Sequence, residues 1–239
     1  MFVWIIRMNG ACVRKCSLFL GTTPGRRAWT TLRWNNMTIM LHKGDLPDGL
    51  DLGTSVAVDS ETMGLRPERD RLCLVQLSSG DGSAHLVQFR QGVYDAPNLK
   101  LLLTDRNVTK IYHYARFDLA VMRAYLGVTA GPIYCTKIAS KLVRTYTDRH
   151  GLKDLCRELL SVDLSKQQQS SDWGSDGLSE DQLQYAASDV LHLHSIRAIL
   201  DSRLAREGRT AFAQACFDFL PHRAELDLIG YGAEDIFSH

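Results

Sequence analysis

The sequence predicts an α/β domain, a mixed sheet flanked by helices, and three observations carry that reading. Strand-like runs at 55–61, 72–78 and 84–89 follow one another across Gly-containing or charged turns, the pattern of an antiparallel meander. Downstream, helix-period stretches surround one further strand-like run at 108–113. Apolar residues make up 45% and charged residues 23% of 239 residues, the balance of a globular chain with room for one domain and an appendage.

Residues 1–36 carry six Arg or Lys and no acid, and they are expected to lie outside the fold. Their apolar run is too short for a signal-peptide core, and no basic stretch precedes it. The segment reads as sequence upstream of a start at Met37 or Met40, as an organellar presequence, or as an interaction arm. The domain itself is expected over 37–239. A short strand is predicted at 38–42, followed by a turn-rich connection over 43–53. In the next run Val56 and Val58 favour the pleat, and Gly64 ends it. Helices are predicted at 98–104, 116–125, 136–146 and 152–160. The second of these carries apolar Phe117, Leu119, Ala120, Val121 and Ala124. Residues 165–177 form a polar loop. One long helix is predicted from Glu180 to about Glu207, opened by a capping box in which Gln182 stands three residues after Ser179. A last helical stretch over 209–229 is expected to be interrupted at Pro221.

The net charge of +1 conceals an asymmetry, because beyond residue 36 there are 22 basic against 27 acidic groups. Domains that wrap long nucleic acid carry a basic excess. A long duplex held by electrostatics alone is therefore not expected, whereas a small substrate bridged by metal is allowed. The six cysteines (Cys12, Cys16, Cys73, Cys135, Cys156, Cys216) form no C-x-x-C pair, and they read as reduced thiols of a cytoplasmic protein. No apolar run approaches the length needed to cross a bilayer, so no membrane partner is expected.

Three motifs carry chemistry. Asp59 and Glu61 end the strand at 55–61, and at spacing two they share a face. Carboxylates held that close repel unless a cation lies between them, and hard divalent ions bind through such groups. Alone, a D-x-E is usually a solvated pair. Asp118 opens the helix after the strand at 108–113, where the macrodipole favours an acid in any case. Tyr185 and Asp189 stand at i and i+4 on the long helix, and Ala186 and Ala187 between them let it lie close to its neighbours.

In this order, D-x-E, then Asp at a helix start, then Y-x-x-x-D, the motifs resemble the DEDDy branch of the DEDD 3′→5′ exonuclease superfamily. The intervals suit that family, 57 residues from Glu61 to Asp118 and 71 from Asp118 to Asp189. Further segments, Asp59-Ser60-Glu61-Thr62-Met63-Gly64-Leu65, His113-Tyr114-Ala115-Arg116-Phe117-Asp118, Thr145 to Lys153 and 166–173, are similar to the ribonuclease D-like nano-RNase C enzymes of alphaproteobacteria. Tyr114 departs from the Asn found in many ribonuclease D relatives. Fifty residues follow Asp189, too few for the helical C-terminal domains of ribonuclease D proper, so a bare catalytic domain is expected.

The resemblance implies a ribonuclease H-like fold and a phosphodiester hydrolase that degrades short single-stranded RNA to nucleoside 5′-monophosphates. It implies two Mg²⁺ or Mn²⁺ ions per site, held by Asp59, Glu61, Asp118 and Asp189, with Tyr185 orienting the attacking water. Thr62, Met63 and Leu65 are placed to touch the terminal nucleotide, with His113 and Trp173 as further substrate contacts. The same likeness implies a homo-oligomer, an octameric ring. The alternative is a broader exonuclease acting on DNA and RNA, or a ribonuclease D-type enzyme working on tRNA 3′ ends.

Overall fold

In the computed structural model, which describes residues 19–21, 29–34, 37–165, 168 and 170–238, one sheet organises the chain. Its strands are β1 (Phe19–Gly21), β2 (Trp29–Trp34), β3 (Met37–Lys43), β4 (Ser55–Thr62), β5 (Leu72–Ser78), β6 (Ser83–Gln88), β7 (Thr109–Tyr112) and β8 (Ile133–Cys135). They lie in the order β1-β2-β3-β6-β5-β4-β7-β8. The predicted meander is β4-β5-β6, antiparallel throughout. On its flanks β3 runs parallel to β6, and β7 runs parallel to both β4 and β8, which makes the sheet mixed. β5 is buried along its whole length, as an apolar run in mid-sheet must be.

The sheet reaches into the segment expected to stand apart from the fold. β2 pairs antiparallel with β3 and β1 with β2, and Leu32 packs against the core. Trp29-Thr30-Thr31-Leu32 is rich in strand formers, and β3 offers it an edge. The remainder of 1–36 lies outside the described residues. β8 was not foreseen, because three residues are too few to show a period.

The helices are α1 (Pro97–Thr104), α2 (Ala115–Val121), α3 (Thr136–Val143), α4 (Leu152–Leu155), α5 (Glu180–Leu191), α6 (Leu193–Arg206) and α7 (Thr210–Leu226). α2 and α4 each run on into a wider final turn, Met122–Leu126 and Cys156–Leu160. Buried Asp45 caps α1 from a distance, accepting from the amides of Asn98 at 3.1 Å and Leu99 at 2.9 Å.

Two helix expectations are corrected. The long helix predicted from Glu180 onward breaks at His192 into α5 and α6. α5 buries Leu183, Ala186, Ala187 and Val190 against the meander strands, whereas α6 packs on α3 and β7, and one straight rod cannot serve both. The interruption expected at Pro221 does not occur. α7 keeps a buried stripe of Ala213, Phe217, Leu220 and Ala224, and that packing outweighs one lost backbone hydrogen bond. Among the described residues no helix is long and apolar enough to cross a membrane.

Candidate active site

Asp59 and Glu61 leave β4 on one face, as the strand period requires. α5 lies over this part of the sheet, and Ala186 and Ala187, both fully buried, let it come close. That approach brings Asp189 to the strand. One carboxylate oxygen from each of Asp59, Glu61 and Asp189 lies within 4.8 Å of the others. The capping box at Ser179 is formed, with Ser179 Oγ accepting from the Gln182 amide and Gln182 Oε1 from the Ser179 amide, so α5 starts where the sequence placed it.

Asp118 arrives from α2 and is buried. Sequence reasoning missed the residue that holds it. Ser60, the middle residue of D-x-E, donates from its hydroxyl to Asp118 Oδ1 at 2.6 Å. A lone hydroxyl between two acids in an apolar run was the signal for it. Between Glu61 and Thr62 the pairing of β4 with β5 shifts register, a bulge that re-aims the chain as it leaves the carboxylates.

The electrostatics are those of acids crowded together. Burial, opposed by the Ser60 amide, pushes Asp59 up to about 7. Glu61 is raised well above the usual range by burial and then by Asp59, Asp189 and Asp118. Asp189 and Asp118 are raised by burial and then by Asp59, with Tyr185 opposing at Asp189 and the Ser60 hydroxyl opposing at Asp118. Tyr185, one turn before Asp189, is raised by burial and then by Asp189, Glu61 and Asp59. Four carboxylates and a phenol thus share one electrostatic neighbourhood.

The five expected substrate contacts fall into two groups. Met63 and Leu65, at 50% and 86% exposure, stand open beyond the strand end, and Thr62 hydrogen-bonds the Gly64 carbonyl. Gly174 permits this arrangement, since a Cβ there would lie 2.6 Å from Met63 Sδ. Trp173 is a correction, because it is buried and cannot be touched from outside. Its ring lies 6.0 Å from that of Tyr185, so it backs the phenol instead. The loop is pinned over this position by Gln88 Nε2 on the Ser175 carbonyl at 2.8 Å and Arg71 on the Gly174 carbonyl at 2.9 Å. His113 is half-buried and bonded through Nδ1 to Thr136 Oγ1 at 2.9 Å. Burial, followed by Lys137, pushes it down to about 3, so it is neutral at physiological pH.

Comparison with known proteins points the same way. A family model described as a 3′-5′ exonuclease matches residues 45–205. The ribonuclease D of Gluconacetobacter diazotrophicus is 36% identical over 154 residues, covering 64% of this chain and 39% of its own length. That of Acidiphilium cryptum is 33% identical, covering 69% of this chain and 41% of its own. The chain therefore spans about two fifths of the length of these relatives. Among solved structures, Brucella melitensis NrnC with bound Mg²⁺ superposes with a TM-score of 0.82 at 56% identity, covering 85% of this chain and 100% of that one. NrnC bound to pGG gives 0.83 at 57% identity, with 85% and 99% covered. Escherichia coli RNase D gives 0.63 at 26% identity, with 72% and 45% covered.

Proposed function

The chain belongs to the 3′→5′ exonuclease family, and on that premise we propose that it shortens oligoribonucleotides from the 3′ end, down to dinucleotides, releasing nucleoside 5′-monophosphates. The observation that carries this reading is the convergence of Asp59, Glu61 and Asp189, with Asp118 and Tyr185 in the same electrostatic neighbourhood. The donor set fits a hard divalent cation. All the ligands are carboxylate oxygens, and burial with mutual repulsion leaves them short of a counter-charge. Asp59, Glu61 and Asp189 would hold one Mg²⁺ or Mn²⁺, and Asp59 with Asp118 a second. Bound there, such a pair supplies Lewis-acid polarisation of the phosphoryl group and neutralises charge on the attacking and leaving oxygens.

The chain's own groups do the positioning. Tyr185 orients the attacking water through its hydroxyl. The phenol's ordinary pKa near 10 makes it a poor base at neutral pH, and orientation is the role left to it. The water gives up a proton as its oxygen bonds to phosphorus, the bond to the 3′ oxygen breaks, and the departing oxygen takes up a proton. Thr62, Met63 and Leu65 steady the terminal nucleotide. Trp173 keeps Tyr185 from swinging back, and Ser60 keeps Asp118 aimed.

A short substrate suits the acidic balance of 22 basic to 27 acidic groups beyond residue 36, because few phosphates are available for contact. The pGG-bound relative supports the same choice, and so does a chain that covers all of NrnC's length. The enzyme would work in the cytoplasm as a homo-oligomer. A ribonuclease D-type role on longer RNA is the second reading, favoured by the curated relatives. Turnover on 5′-phosphorylated RNA and DNA from two to about ten nucleotides, read product by product, decides between them. The short-RNA reading expects the dinucleotide to be cleaved fastest. A rate that is flat or rises with length, or a preference for DNA, removes it.

A further inference from the structure

We propose that Gln76 is a positioning residue for metal binding: its buried carboxamide donates from Nε2 to the Asp59 carboxylate when a divalent ion is held, and so fixes the angle at which that ligand meets the ion. The proposal rests on the reading of Asp59 as a metal ligand, and it adds a residue that is neither an acid nor part of the three motifs.

β5 reads Leu72-Cys73-Leu74-Val75-Gln76-Leu77-Ser78, an apolar run in mid-sheet interrupted by an amide. Gln76 has no exposed surface, and neither its Oε1 nor its Nε2 has a hydrogen-bond partner among the described residues. Ser78, further along the same strand, differs in this respect, because its hydroxyl donates to the Ser83 carbonyl at 2.7 Å. α5 covers this part of the sheet with Leu183, Ala186, Ala187 and Val190, none of which can pair with an amide. Sealing an amide from water without partners costs stability, and a group left in that condition calls for another state of the protein that uses it.

The strand register identifies the group that Gln76 serves. In the antiparallel pairing of β4 with β5, Gln76 stands directly opposite Asp59. Side chains so paired leave the same face of the sheet with Cβ atoms about 5 Å apart, a gap that a glutamine side chain spans. Leu74 is opposite Glu61 and Ser78 opposite Ala57, so Asp59 is the β4 acid that has an amide across from it. The donor and acceptor chemistry also matches. An ionised carboxylate only accepts hydrogen bonds, and the NH₂ of an amide only donates them. Asp59 is the ligand common to both proposed ions, so its orientation bears on both. Hydrogen bonds from outside the ligand set orient carboxylate ligands, and their loss weakens metal binding by about 10–100-fold.

The test is Mn²⁺ uptake by the full chain without substrate, followed by the electron paramagnetic resonance signal of free Mn²⁺. It compares the wild type, Gln76→Met and Asp59→Ala, with thermal melts of each in the absence of metal. Methionine keeps the length of glutamine and brings no N–H donor. Gln76→Met should melt no lower than the wild type without metal, because it buries no unpaired amide. It should nevertheless bind Mn²⁺ at least about tenfold more weakly, a loss that a merely structural amide would not produce. A Gln76→Met that binds Mn²⁺ as tightly as the wild type overturns the proposal, whatever its melt. If that variant does not fold, Gln76→Asn decides, since it keeps the amide and withdraws it from Asp59. It too should weaken Mn²⁺ binding by about tenfold, and wild-type affinity in it overturns the proposal. A wild type that binds Mn²⁺ no better than Asp59→Ala overturns the metal reading and the role of Gln76 together, whereas tight binding by the wild type and the Gln76 variants alike overturns the role of Gln76 only.

Discussion

At the scale of single residues, the site is a problem in charge. Glu61 has burial and three other acids pushing its pKa up, which means the apo cluster is strained by repulsion. At a pH high enough to ionise the cluster, Glu61→Gln removes one charge while keeping the shape. Without added metal its melting temperature should rise by roughly 2–4 °C, the equivalent of about 1 kcal/mol in a chain of this size. The further rise that Mn²⁺ gives the wild type should shrink or vanish, and turnover should fall by at least about 10²–10³. Melts with and without Mn²⁺, beside a nuclease assay, check all three. A variant that melts lower than wild type without metal contradicts the repulsion account.

At the scale of elements, two supports hold the third motif. The capping box fixes the start of α5, and the pinned loop through Trp173 backs its second turn. Ser179→Ala should cost about 1 kcal/mol, and Ser179→Gly only a few tenths. Fraying reaches only the first turn, ahead of Tyr185 and well ahead of Asp189. Activity per folded molecule should therefore stay within about twofold of wild type. Urea titration and specific activity separate the two effects, and a large activity loss in a stable Ser179→Ala would show that the cap tunes the site. The same scale explains what sequence reasoning could and could not reach. The cap was legible because it is local, a Ser and a Gln three residues apart. The break at His192 was not, because it depends on α5 and α6 having different neighbours. Trp173 looked like a ring available to substrate, and only the packing of the loop on α5 buries it.

At the scale of the whole molecule, the sheet joins parts of the chain that the site never touches. His42 on β3 and His85 on β6 are buried with their rings nearly parallel, and His42 Nε2 lies 3.0 Å from His85 Nδ1. Burial, followed by His85, lowers His42 from 6.5 to about 4, and burial also lowers His85 against the pull of Asp81. The unfolded chain then takes up protons that the folded one refuses. Stability from this pair is complete above about pH 6.5 and is lost as the pH falls toward 4, by roughly 2–3 kcal/mol for His42 alone. Urea midpoints at pH 7.5 and 4.5 test it. His42→Gln should lose less stability between the two than wild type, and parallel losses would contradict the account.

The sequence by itself determined the meander and the cap of α5, and it singled out the five side chains proposed for the site. Each is written in residue types and short spacings, and the physics behind them, strand alternation, helix period and carboxylate chemistry, acts locally. Only the tertiary structure decided that β1 and β2 extend the sheet, that Ser60 holds Asp118, that Trp173 stands behind Tyr185, and that Arg116 grips Asp227 from 111 residues away. Those contacts join positions with no periodic or motif relation to one another, so their energy exists only once the chain has closed on itself.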